Sequence, residues 1–149
     1  MSLKEELLNQ CKNFVDIRSQ TIQKTMSSYQ NDLQSESKSS AGDKHETGRA
    51  MLQLEMEKAS QQLEGINQMS EILDKIDALK TSKVVCLGSI VFTENINYFL
   101  SISIGKITID KIDFFAVSPV SPIGKLLLGK QENDEFLFGG KRIKIQKIV

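Results

Sequence analysis

Ser35-Glu36-Ser37-Lys38-Ser39-Ser40-Ala41-Gly42 is a run of small, polar residues between two long stretches of helix-forming sequence. Clusters of this kind break periodic structure and mark a loop. Before it, Leu7, Cys11, Phe14, Arg18, Ile22, Thr25, Tyr29 and Leu33 follow 4-3-4 spacing, a heptad stripe imperfect at Arg18 and Thr25. After it, a second stripe runs through Leu52, Met56, Ala59, Leu63, Ile66, Leu73 and Ile76, with a skip near Met69-Ser70. Residues 1–80 contain no proline, and their glycines are Gly42, Gly48 and Gly65. Proline-free, Gln/Glu/Lys/Leu-rich sequence favours helix. Two heptad helices around a short loop predict an antiparallel coiled-coil hairpin over residues 1–80, with its tip at about 37–46. At about 1.5 Å per residue, helices of roughly 30 residues make a hairpin about 45 Å long. Such a hairpin buries one narrow seam; it cannot enclose a ligand, but it can reach into something.

Past Lys80 the period drops to two. Tyr98, Leu100, Ile102 and Ile104 alternate with Phe99, Ser101 and Ser103; Ile107 and Ile109 alternate with Thr108; Ile143 and Ile145 alternate with Arg142 and Lys144. These predict half-buried strands. Val84–Phe92 is more continuously apolar and reads as two strands bent at Gly88. Glu94-Asn95-Ile96-Asn97 and Gly139-Gly140 read as turns, the second closing a tight hairpin between 135–138 and 141–147. One short helix interrupts: Ser121 suits its N-cap, Pro122 its first position and Gly129 its left-handed end. Residues 81–149 therefore read as a small antiparallel sheet with one packed helix, and the whole chain as α+β.

Composition narrows the function. Of 149 residues, 40% are hydrophobic and 26% charged, which predicts a soluble, folded chain. The formal net charge is zero, which argues against coating nucleic acid by bulk electrostatics. Residues 1–80 carry 10 Lys/Arg and 13 Asp/Glu, and residues 81–149 carry 9 and 6, so the halves differ mildly in sign. The acidic start Lys4-Glu5-Glu6 is no signal peptide, and no segment has the roughly 20 apolar residues of a membrane span. Cys11 and Cys86, distant and outside any CxxC spacing, predict buried free thiols in a reducing compartment, so the expected location is cytoplasmic. There is no nucleophile–base set, phosphate-cradling glycine loop or Cys/His cluster, so an independent enzyme is not expected.

The layout and three motifs resemble the Gre family of bacterial transcript cleavage factors. Gly42-Asp43-Lys44-His45-Glu46 at the expected tip is similar to the family's G-D-x-x-E sequence. Ser121-Pro122-Ile123-Gly124 with Gly129-Lys130 looks like its SPIG-type helix and following GK, and Asp134-Glu135 matches its acidic turn before the last hairpin. The resemblance covers nearly the whole chain. Thr47-Gly48-Arg49-Ala50 departs from the family's Asn-Ala-aromatic continuation.

The resemblance implies an FKBP-like C-terminal domain over residues 81–149. It also implies a factor that binds RNA polymerase, inserts its hairpin in the secondary channel and stimulates the polymerase's own cleavage of backtracked RNA. It implies that Asp43 and Glu46 help hold a Mg²⁺ shared with the polymerase, with no stably bound cofactor of the chain's own. The nascent RNA 3′ end is then an indirect partner, and no membrane or small-molecule substrate is expected. Lys44 and Arg49 are candidate tip contacts, and the surface beside Ser121-Pro122 a candidate partner contact.

Bland readings stand beside these. Asp-x-x-Glu at a helix start is also a capping arrangement favoured by the helix dipole. His45, the single histidine, lacks the partners for a metal site or triad. A channel-blocking modulator without cleavage activity, an FKBP-like isomerase or chaperone and a coiled-coil adaptor remain alternative functions.

Overall fold

Helix α1, Leu3–Lys38, begins as its sequence dictates. The Ser2 hydroxyl accepts the Glu5 backbone N–H at 3.2 Å, and Glu5 and Glu6 supply negative charge to the first turn. A computed structural model describes residues 1–38 and 42–149, with side chains for all of these except 36–38 and 42–45. Helix α2 spans Gly42–Asp74. The chain is thus α+β: two long helices followed by a six-stranded sheet with one short helix. It divides into two compact units, Phe14–Ser70 and a discontinuous one of Met1–Asn13 with Glu71–Val149.

The inward stripe of α2 follows its heptads. Ala59, Ile66, Leu73 and, just past the helix, Ile76 are buried, Leu52, Met56 and Leu63 are half-buried, and half-buried Met69 and Ser70 fill the skip. The α1 stripe differs from its expectation. Phe14 and Arg18 are exposed, and Val15 and Ser19 turn inward instead. Buried and half-buried positions recur as Lys4–Val15–Met26, Leu8–Ser19 and Cys11–Ile22–Leu33. The expected positions Thr25, Tyr29 and Leu33 are half-buried as well, and an 11-residue recurrence is close to three ideal turns.

The strands are β1 (Ile90–Thr93), β2 (Asn97–Leu100), β3 (Gly105–Ile109), β4 (Ile112–Val117), β5 (Glu135–Phe138) and β6 (Lys141–Ile148). Their order in the sheet is β3-β4-β2-β1-β6-β5. The expected all-antiparallel sheet is corrected to a mixed one, because β2 and β4 pair in parallel, Asn97 opposite Phe114 and Leu100 opposite Val117. The alternation from Tyr98 to Ile104 also breaks at Leu100. Residues 101–104 carry the chain past the slot that β4 later fills, and β3 becomes an edge. The turn between β3 and β4, Asp110-Lys111, has positive φ at both residues and gave no glycine signal. Gly139-Gly140 closes the β5–β6 hairpin as expected, with φ +60 and +78, the left-handed pair that a two-residue hairpin of this hand requires.

Val84–Phe92 is likewise not two strands. Val84 forms an isolated bridge to Gln131, and after the turn at Gly88 the ladder begins at Ile90.

The strands β1 and β2 are buried on both faces, as the continuous apolarity before Phe92 suits, whereas the alternation from Tyr98 predicted a half-buried β2. On one face Val91, Tyr98, Leu100, Phe136, Ile145 and Ile148 form a core with Ile123 and Leu127 from helix α3, Pro122–Leu127. On the other, Ile90, Phe99, Phe114 and Ala116 are essentially inaccessible, and the Phe92 and Phe114 rings meet edge to face at 6.0 Å. The first turns of α1 reach the end of β2: Cys11 Sγ lies 3.8 Å from Ser101 Oγ.

Helix α3 forms as its sequence predicts. The Ser121 hydroxyl accepts the Gly124 N–H at 3.1 Å and donates to the Ser118 carbonyl at 2.6 Å. Gly124 is fixed by closeness: a Cβ there would stand 1.9 Å from the Ser118 carbonyl oxygen. Gly65, exposed inside α2, would place a Cβ in open space. Gly124→Ala is therefore expected to lose about 2 kcal/mol or more. Gly65→Ala is expected to gain about 0.5–1 kcal/mol from helix propensity. Urea unfolding of both variants checks the opposite signs.

Candidate functional site

The expected tip falls largely on residues outside the described ones. The side chains of Asp43, Lys44 and His45 are among these. The backbone from Gly42 onward is helical, so Asp43 stands second in α2 and Glu46 one turn later. An i, i+3 pair on a helix is separated by about 4.5 Å along the axis and about 60° around it, so both positions share a face. Glu46 and Arg49 are exposed. Mg²⁺ takes oxygen ligands and is commonly held by one or two carboxylates with its remaining positions filled elsewhere. The pair Asp43 and Glu46 matches that donor chemistry for a shared ion. Among the described residues no group of three or more His, Cys, Asp or Glu is placed to hold a metal by itself.

Asp32 and Ser35 of α1 and Gly48, Met51, Leu52 and Glu55 of α2 line an open groove of about 450 Å³. Met51 and Leu54 are more than half exposed. This end of the helical unit therefore mixes carboxylates with uncovered apolar side chains, a surface suited to contact rather than to chemistry.

The second expected contact lies elsewhere in the fold. The Ser121 hydroxyl is used within α3's cap, as a donor and as an acceptor. Its donor and one acceptor site are engaged in the cap, and the outward surface there includes Pro122 and Val120, which is 76% exposed. The Asp134 carboxylate, in the acidic turn, accepts the Gln131 N–H at 2.7 Å and so closes the turn into β5.

The cysteines divide. Both are free. Cys11 is buried, but Cys86, expected to be buried, is exposed: the turn at Leu87-Gly88 carries it outside β1. Burial pushes the Cys11 thiol up to about 11, with the Ser101 hydrogen bond pulling weakly the other way. Lys4 was not singled out by its sequence, yet it is 6% exposed and its ammonium donates to the Lys80 carbonyl at 2.7 Å. Burial lowers its pKa, and the nearby Cys86 and Asp77 raise it in part. Sequence reading also missed that Tyr98, Lys141, Arg142 and Lys144 line one cavity. Strand pairing brings them together, and no spacing within the chain announces it.

No protein-family model, curated protein or solved structure matches this chain. Among the described residues, no helix is long and apolar enough to cross a membrane.

The cysteines make a direct test. Iodoacetamide at pH 8 is expected to label Cys86 in the native protein and Cys11 only after unfolding, read by peptide mass spectrometry. The folded state holds the Cys11 proton up to about pH 11, whereas the unfolded chain loses it near 9. The folded state thus binds more protons in that window, so this thiol's contribution to stability falls as pH rises from about 9 to 11. Wild type should therefore lose more stability than Cys11→Ala across that range, measured by urea titrations at each pH.

Proposed function

We propose that this protein is an accessory transcription elongation factor. It binds RNA polymerase, enters the secondary channel with an antiparallel coiled-coil hairpin formed by α1 and α2, and stimulates cleavage of backtracked RNA. The observation that carries the reading is the placement of Asp43 and Glu46. Two helices of 36 and 33 residues are separated by residues 39–41, and the two carboxylates stand at the start of the second helix. Support also comes from the SPIG-type helix α3, packed against the small C-terminal sheet that the reading takes as FKBP-like.

The chemistry belongs to the polymerase. Phosphodiester hydrolysis needs stabilisation of both the attacking and the leaving oxygen, which a second divalent ion supplies when bound. Asp43 and Glu46 would add carboxylate oxygens beside that ion and orient the attacking water toward the RNA 3′ end. Glu46, already exposed, needs no rearrangement to do so. Lys44 and Arg49 would face phosphates or acidic residues around the channel. The protein acts in the cytoplasm, has no substrate of its own and needs no permanent cofactor.

A second reading is favoured by Thr47-Gly48-Arg49-Ala50, which carries no aromatic residue. On that reading the protein occupies the same channel and modulates the polymerase without cleavage.

A backtracked polymerase complex with Mg²⁺ separates the two. Wild type is expected to accelerate 3′ cleavage, and Asp43→Asn with Glu46→Gln to bind equally and lose at least tenfold in cleavage rate. Equal binding with no acceleration by wild type would establish the modulator. Absence of binding would remove the polymerase reading altogether.

A further inference from the structure

The sheet unit contains a partly enclosed cavity of about 350 Å³ between the β1–β2 loop and the β5–β6 hairpin. That volume lies in the range of small-molecule sites, roughly 300–1,000 Å³. Its apolar wall comes from Ile96, Phe138 and Ile143, and its cations are Lys141, Arg142 and Lys144. Arg142 is paired with Glu135 at 3.4 Å, and Glu94 also lines the space. Side chains alternate along β6, so Lys141 and Ile143 share a face with Phe136 and Phe138, and Arg142 and Lys144 lie on the other. Lys141 has no ion-pair partner among the described residues.

Tyr98 gives the cavity its direction. Its ring belongs to the core and the residue is 5% exposed, yet its hydroxyl has no hydrogen-bond partner among the described residues. No fully buried side-chain nitrogen or oxygen is left unpaired among them, so this hydroxyl must touch open space. Tyr98 is among the residues that line the cavity. Buried tyrosines normally bond their hydroxyl. Tyr98 and Lys141 line the same space, and an oxyanion satisfies a hydroxyl donor and an ammonium together.

We propose that this cavity binds a small organic anion. Its carboxylate or phosphate oxygens are held by the Tyr98 hydroxyl and Lys141, and its apolar body packs on Ile96, Phe138 and Ile143. The inference stands without the polymerase reading, because none of these residues carries it. Two oxyanions share the recognition chemistry, and their sources are told apart by the probes.

The full-length, ¹⁵N-labelled protein is titrated with phenylacetate, phenyl phosphate, inorganic phosphate and benzyl alcohol, and amide shifts are followed. Saturable shifts confined to residues 93–98 and 138–144 are expected for phenylacetate or phenyl phosphate. The tighter of the two identifies the oxyanion. Inorganic phosphate, lacking the apolar body, and benzyl alcohol, lacking the charge, should bind at least tenfold more weakly. Tyr98→Phe and Lys141→Gln should each weaken binding about tenfold, the loss expected for one hydrogen bond to a charged group. If Tyr98→Phe does not fold, the exposed Lys141 alone decides. The proposal is overturned by non-saturating shifts with both organic anions, by inorganic phosphate binding as tightly as phenyl phosphate, or by unchanged affinity in the lysine variant.

Discussion

Burial of the central strands on both faces is the constraint from which the rest of the sheet unit follows. Ile90, Val91, Phe99 and Leu100 are all inaccessible, so neither face of β1 or β2 can be left to water. Each fully buried side chain of this size contributes about 1.5–3 kcal/mol relative to exposure. Helix α3 supplies one cover through Ile123 and Leu127. Leu7, Cys11 and Leu73, from residues that belong to the same compact unit, are buried as well, and Cys11 reaches Ser101 at the end of β2. Gly124 then follows from the first requirement, because α3 can start only where its backbone approaches the Ser118 carbonyl.

Local chemistry was the legible part. The cap at Ser121, the helix start at Pro122, the glycine turn at 139–140 and the α2 stripe all appear where residue identity placed them. Each is decided within a few residues, so the sequence window contains its whole cause. The α1 stripe misled locally: the expected spacing takes positions 14 and 18 after Cys11, whereas positions 15 and 19 turn inward. Phe14 is apolar enough to complete the heptad on paper, while Val15 is the residue that is buried.

Strand partnership was not legible. The parallel pairing of β2 with β4 depends on where residues 101–104 deposit the chain, and Asp110-Lys111 turns without the usual glycine. The exposed position of Cys86 has the same origin, since it depends on the turn at Gly88 rather than on the apolarity around it. For the site, the sequence supplied the spacing of Asp43 and Glu46, and the helical backbone places them on one face. The cavity around Tyr98 joins β1–β2 to β5–β6, a proximity that only the closed sheet creates.

The discontinuous unit also fixes an order of events during synthesis. Residues 1–13 leave the ribosome before the intervening unit, but the residues of their own unit from Glu71 to Val149 leave after it. Leu7 and Cys11 therefore stay uncovered by their final neighbours while more than half of the chain is translated. The intervening unit, Phe14–Ser70, is complete well before then. The first turns of α1 are thus made before the unit that follows them and packed after it. Any factor that shields nascent apolar surface would meet this protein at those turns.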